Sequence, residues 1–227
     1  MTIEPIAYYH SALSTKFGAP RQSGLVPELC GRIVFEQEYR NADALRGIEG
    51  FDFLWLVWGF SLNERNADSW SPLVRPPLLG GNRSMGVFAT RSPFRPNPLG
   101  LSSVRMLGVE DSAEGVVLIV GGADLVDGTP IYDIKPYIAY SDAHPDARGG
   151  FVETNNWSGA EVVFPDELRR VIPDEDYKVV VKLLCLDPRP RYHNDPERVY
   201  GMPYGGYDIR FTVSDDGVLR VVEVIEL

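Results

Sequence analysis

Cysteine is scarce in this chain. Cys30 and Cys185 are the only two in 227 residues, too far apart to form a close-spaced redox or metal pair. That usage suits a reducing compartment and argues against a disulfide-stapled secreted fold. No apolar run is long enough to span a bilayer, and no basic-then-apolar leader opens the sequence. We therefore expect a soluble, cytoplasmic protein without membrane contact. Glycine signatures are missing as well. There is no GxGxxG, no GxxxxGK[ST] and no GxSxG, which removes a classical dinucleotide fold, a P-loop and a hydrolase nucleophile elbow. The three histidines, His10, His144 and His193, are widely separated. Asp142, His144 and Asp146 alternate, but Pro145 stands between them in a polar stretch, which reads as a solvated loop, and no metal is expected.

Negative charge is also absent where it would be expected by chance. The net charge is −10, yet Ser69 to Val109 contains no Asp or Glu and carries Arg75, Arg83, Arg91, Arg95 and Arg105. Residues 1–109 hold 11 basic and 9 acidic side chains, and the remainder holds 11 and 23. A basic patch on an acidic body can hold RNA, because local contacts govern phosphate binding. Arginines scattered around the fold would give the same composition, so both readings stay open here.

The chain is organised around GVFATRSPFRPNPLGLSS, residues 86–103. Gly86 to Thr90 reads as the end of a buried strand. Pro93, Pro96 and Pro98 then force an extended loop, since none can donate to a ladder and each biases its predecessor towards extended backbone. Arg91 and Arg95 project from that stiffened loop, a suitable anion or nucleotide site. Leu101 to Val109 is the next strand. Phe51 to Phe60 is the most hydrophobic segment and reads as a central strand buried on both faces. Short strands are also expected at Ile3–Tyr9, Gly31–Glu36, Gly115–Val120 and Ile131–Ile138, with a turn at Asp127–Gly128. Strands without intervening long helices indicate a barrel or sandwich, not a doubly wound sheet. After about Asp142 the texture changes: a short helix over 165–171, a helix over 174–186 and a closing hairpin over 209–225 make a small α+β unit. On the Ile131–Ile138 strand, Asp133 and Lys135 share one face, either as an exposed ion pair or beside a bound ligand. The run from Asp187 to Tyr207 interleaves tyrosines with Arg189, Arg191 and Arg198, a weak nucleic-acid signal because acidic residues nearly cancel it.

Four stretches together carry a resemblance: PRQSGLV (20–26), VRPPLLGGNRSMGVFATRSPFRPNPLGLS (74–102), DLVDGTPIYDIKPYI (124–138) and DPRPRY (187–192). In this order they resemble the tRNA N6-threonylcarbamoyladenosine methyltransferases, the SAM-dependent β-barrel (TsaA-like) enzymes. The resemblance implies a mainly β protein, with a non-Rossmann β-barrel that binds SAM over residues 1–155 and a small C-terminal α+β domain over 156–227. It implies methyl transfer from S-adenosyl-L-methionine to N6 of threonylcarbamoyladenosine at position 37 of tRNA, by a homodimer. The cofactor contacts it implies are Ser23, Gly24, Leu25, Ser61, Leu62, Arg91, Leu101, Gly128, Thr129, Pro130 and Ile131. Asp133 is the candidate general base, and Arg83, Arg95, Arg189 and Tyr192 are candidate RNA contacts. The alternatives are a non-catalytic RNA-binding barrel and a methyltransferase for a small metabolite.

Overall fold

The structure is a computed structural model that describes residues 2–62, 70–79, 83–153, 159–190 and 195–227. In chain order, the first part forms β1 (Ala7–Ser11), β2 (Cys30–Phe35), β3 (Phe53–Gly59), β4 (Leu73–Val74), β5 (Met85–Gly86), β6 (Leu99–Ser112), β7 (Gly115–Gly121) and β8 (Thr129–Pro136). Six of these close into an antiparallel barrel in the order β1-β2-β7-β6-β3-β8, while β4 and β5 pair only with each other. Alternation along each strand decides what faces inward. Leu54, Leu56 and Trp58 of β3 are buried together with Tyr9, Ile33 and Leu118. Closure leaves no free edge among these six strands.

Two strand expectations are corrected. Phe51–Phe60 is not buried on both faces: Phe53 is 38% exposed, and Trp55 and Val57 are half-buried. Its outer face is apolar because other aromatic groups lean on it. Tyr137 lies 6.2 Å from the Phe53 ring and 5.6 Å from the Trp55 ring, and Trp55 Nε1 donates to Asp142 Oδ2 at 2.8 Å. Of Gly86 to Thr90, only Gly86 ends a strand. After the two-residue β5 the chain turns into a 3-10 helix over Val87–Ala89.

The β8 strand is followed by α1 (Ala139–Asp142), β9 (Val162–Val163), α2 (Asp166–Arg169), α3 (Asp174–Cys185), β10 (Tyr200–Tyr204), β11 (Tyr207–Val213) and β12 (Leu219–Glu226). The second sheet has the order β10-β11-β12-β9. Three acidic residues, Asp174, Glu175 and Asp176, fill the first turn of α3, where the helix dipole favours them. Val179, Val180, Leu183 and Leu184 then recur at helical spacing and are buried in one core with Met202, Ile209 and Phe211. That core is shared across the sequence. Leu13, Val26 and Leu29, from the connection between β1 and β2, belong to it. Gly205 N–H also donates to Ala12 O at 3.1 Å, and Lys182 pairs with Glu28.

Candidate functional site

Three connections converge beside one end of the barrel: residues 20–25, the proline-rich loop after β5, and residues 122–128 between β7 and β8. Gly24 makes the first turn possible, with φ +82 and open space where a Cβ would project. Its N–H donates to Gly122 O at 2.7 Å, tying the first connection to the third. Gln22 Oε1 accepts from Arg91 Nη1, tying the first to the proline loop. The loop itself is held by successive local turns. Ser92 N–H donates to Thr90 Oγ1 at 3.3 Å, and Phe94 N–H donates to Ser92 Oγ at 3.2 Å. Arg95 Nη1 reaches back to Thr90 O at 3.4 Å.

The first two of these connections contribute to a broad cleft of about 2250 Å³, which Ser61, Trp70, Arg75 and Phe151 also line. Arg21, Arg75, Arg91 and Arg95 present cations to it, and Trp70, Phe88 and Phe94 present rings. Those rings are 54%, 74% and 62% exposed, unusual for side chains of this size. Guanidiniums beside exposed aromatic faces are the chemistry that holds phosphates and stacks bases.

One half-buried carboxylate stands near this wall, and sequence reasoning passed over it. Asp124 Oδ1 accepts from Ser102 Oγ at 2.5 Å, and Ser102 Oγ in turn accepts from Trp58 Nε1 at 2.9 Å. Burial pushes the Asp124 carboxyl above the usual carboxylate range. The Ser102 hydrogen bond, its own backbone amide, the Arg91 charge and the Ser23 amide oppose that shift. The signal available in the sequence was a single acid ahead of the Asp127–Gly128 turn.

The expected site residues fall into separate groups. Ser61, Arg91 and Arg95 line the cleft, while Ser23, Gly24 and Leu25 follow directly on its wall residues Arg21 and Gln22, and Leu62 follows Ser61. Gly128, with φ +73, turns the chain into β8, and its N–H donates to Tyr9 O at 2.8 Å. Thr129 and Ile131 are buried and Pro130 lies opposite Tyr8, so Thr129 and Ile131 can offer a ligand only main-chain atoms. Leu101 and Asp133 lie elsewhere. They flank Val57 in one row across β6, β3 and β8, on the outer face of the barrel, where Leu101 is 58% exposed. Asp133 Oδ2 pairs there with Lys135 Nζ at 2.8 Å, and neither residue lines the cleft. Arg83 is exposed beside the cleft wall residue Ser84. Arg189 Nε is held by both oxygens of Asp187 at 3.1 Å, and Arg21 Nη2 donates to Asp187 O at 3.2 Å. Tyr192 and His193 lie outside the described residues. Both hydrogen bonds to Asp142 Oδ2, from Trp55 and from Ile138 N–H, serve to anchor α1.

A glycine turn with open space, a convergent arginine and a large cleft suit a charged nucleoside-like cofactor such as SAM. The comparisons point the same way. The sequence model of the tRNA-methyltransferase O N-terminal domain matches residues 8–143, and that of the TrmO C-terminal domain matches residues 160–227. The tRNA (adenine(37)-N6)-methyltransferase of Escherichia coli K12 is 37% identical over 222 residues, covering 94% of each chain. The enzyme of the same name from Eikenella corrodens is 48% identical over 146 residues, 64% of this chain and 82% of that one. A crystal structure of TrmO superposes with a TM-score of 0.79 at 31% identity, covering 99% of this chain and 98% of that one. TrmO from Pseudomonas aeruginosa superposes at 0.77 with 32% identity, again over 99% and 98%. With both domains matched in order over nearly the full length, the chain belongs to the tRNA-methyltransferase O family.

Proposed function

We infer that this protein is a SAM-dependent tRNA (adenine(37)-N6)-methyltransferase, and we propose that its substrate nucleoside is the threonylcarbamoylated adenosine 37. The observation that carries this reading is the family match over both domains, on a fold whose arginine-lined cleft suits an anticodon loop. SAM supplies the electrophilic methyl group when bound. In this reading Ser23, Gly24, Leu25, Ser61, Leu62, Arg91 and Leu101 hold it, with main-chain atoms of Gly128 to Ile131. The acceptor nitrogen lies between a purine and a carbamoyl group, so it is a poor nucleophile with a relatively acidic N–H. The protein's work is then mainly alignment and exclusion of water.

We propose Asp133 as the group that takes the proton. Its place across Val57 from Leu101 on the outer face requires the reacting nitrogen to approach there, between the cleft and the row of outer-face residues that contains Val57 and Leu101. A second copy of the chain covering that row would give the homodimer and would close the site against water. Arg95 and Arg83 are the proposed phosphate contacts, with Arg189 supporting the wall from behind through Asp187. We take residues 1–155 as the catalytic barrel and 156–227 as a unit that supports it. Among the described residues no helix is long and apolar enough to cross a membrane, and we propose a cytoplasmic location, where a tRNA substrate would be met.

The test is transfer of labelled methyl from SAM to tRNA, with and without prior threonylcarbamoylation. Methylation confined to modified tRNA supports the reading. Equal methylation of unmodified tRNA would remove the proposed substrate, and no transfer to either would remove the activity.

A further inference from the structure

We propose that Phe88, backed by Trp70, and Phe94 are stacking platforms for unpaired bases of an RNA loop, so that ring faces as well as phosphate contacts hold the substrate in the cleft. The inference rests on the reading of the cleft as the seat of an anticodon loop.

The backbone aims both rings outward. Val87 is 1% exposed, and its N–H donates to Pro72 O at 2.9 Å. Thr90 N–H and Thr90 Oγ1 both donate to Val87 O, at 3.2 and 2.8 Å. Successive residues of a 3-10 helix lie a third of a turn apart, so anchoring Val87 inward leaves Phe88 on the cleft side. The β4–β5 pairing fixes this turn against the segment that carries Trp70, through Leu73 opposite Gly86. The Trp70 and Phe88 rings consequently meet, with centroids 6.1 Å apart and planes tilted by 36°. Each stacked contact takes up about 3.5 Å, so a base has no room between them. Trp70 therefore supports Phe88 from one side, and Phe88, still 74% exposed, keeps a face for a ligand. Phe94 is set in place differently. Its N–H is held by Ser92 Oγ, and Arg95 N–H donates to Pro93 O at 2.9 Å, so the proline loop presents the ring with little entropy left to lose.

The surroundings of the rings select the occupant. The chain carries a net charge of −10, yet no described residue that lines the cleft is Asp or Glu, while four are arginines. An anionic partner is matched and an acidic protein surface without ring-shaped groups is not. The volume of about 2250 Å³ also exceeds what one small ligand fills, about 300–1,000 Å³, so the cofactor leaves room for a larger second occupant. Paired bases hide their faces in the helix stack. Unpaired loop bases offer theirs, and stacking on a ring satisfies any base. Arg91 and Arg95 lie three residues before and one after Phe94, so one loop carries both the ring and the phosphate donors.

The experiment measures binding of an anticodon stem-loop RNA, and of a fully paired RNA of equal length, to the full-length protein over a salt series. The variants are Phe88→Ala, Phe88→Leu, Phe88→Tyr, Phe94→Ala, Trp70→Ala and Trp70→Ala with Phe88→Ala, each checked by thermal unfolding, sedimentation and SAM calorimetry. Phe88→Ala and Phe94→Ala should each weaken stem-loop binding by roughly 5- to 150-fold, the loss expected for one base–ring stack. SAM affinity and the slope of log affinity against log salt should not change, because no cation is removed. Phe88→Tyr should keep stem-loop binding, and Phe88→Leu, apolar but without a ring face, should lose it. The double variant should bind no more weakly than Phe88→Ala, since Trp70 acts through Phe88. Folded Phe88→Ala and Phe94→Ala with wild-type stem-loop affinity overturn the proposal. So does a Phe88→Leu equal to wild type, a loss accompanied by a lower salt slope, or full additivity with Trp70→Ala. Loss of self-association with RNA binding kept would assign the rings to a second copy of the chain and equally overturn it. A wild type that binds the stem-loop no tighter than the paired RNA would instead refute the underlying reading of the cleft. Should Phe88→Ala not fold, the comparison of Phe88→Leu with Phe88→Tyr decides the matter.

Discussion

Replacing Arg91 is the perturbation with the clearest expected signature. Among its own protein contacts, the hydrogen bond to Gln22 joins two side chains at the surface, and such contacts contribute little to stability. Arg91→Ala should therefore leave the melting temperature close to wild type. Its effect belongs to the ligand. A planar guanidinium can hold a carboxylate or ribose oxygens through two parallel N–H bonds, and each hydrogen bond to a charged group contributes about 1.5–3 kcal/mol. With part of that recovered by water, a loss of about 2–3 kcal/mol in kcat/KM follows, or roughly 30- to 150-fold. Lysine keeps the charge and loses the fork, so Arg91→Lys should fall by roughly tenfold. Labelled methyl transfer to threonylcarbamoylated tRNA, run with SAM calorimetry and thermal unfolding, separates these effects. A folded Arg91→Ala with normal SAM affinity and turnover would refute the assignment of the cleft. An Arg91→Lys equal to wild type would refute the two-pronged contact.

Gly100→Ala places a Cβ within 2.2 Å of the Trp58 ring and should destabilise the barrel by about 1–3 kcal/mol in denaturant unfolding; an unchanged midpoint would show that the ring has room to move. Arg95→Ala should weaken tRNA binding more at low salt than at high salt and reduce the slope of log affinity against log salt by about 0.7–0.9. An unchanged slope would remove Arg95 from the phosphate contacts. Asp133→Asn should lower kcat with little change in SAM affinity, with the loss shrinking at high pH as the acceptor N–H ionises unaided; wild-type turnover would remove it as the base. Deleting residues 156–227 exposes Leu13, Val26 and Leu29, so the truncated chain should lose SAM affinity as well as tRNA methylation. Retention of full SAM affinity would show that residues 20–25 hold their shape alone.

The barrel strands were readable because their apolar residues alternate between Gly, Pro and Asp-Gly breaks, and α3 was readable from its acidic first turn and helical apolar spacing. Phe51–Phe60 misled for a physical reason. An outer face covered by Tyr137 is as apolar as an inner one, and composition does not distinguish cover supplied from a distant part of the chain. Gly86–Thr90 misled because small and apolar residues fit a 3-10 turn as well as a strand. The proline loop announced itself through its backbone chemistry. Asp124 did not, since its importance lies in long-range neighbours: Ser102 is 22 positions away and Trp58 is 44 from Ser102. Leu101 and Asp133 share a row only because β3 lies between β6 and β8, a topology no local pattern encodes.

Residues 12–29 tie these observations into one argument. Leu13, Val26 and Leu29 are anchored in the C-terminal core, while Gly24, on the same connection, reaches Gly122 beside the cleft. Glu28 is paired with Lys182 of α3, and Arg21 with the carbonyl of Asp187 just beyond that helix. A loop anchored at both ends has less conformational entropy to lose when a ligand orders it. The C-terminal unit thus bears on the proposed cofactor site without lining the cleft, by restricting residues 20–25 before anything binds. Substitutions far from the cleft that loosen α3 should then appear first as weaker cofactor binding, before the barrel itself unfolds.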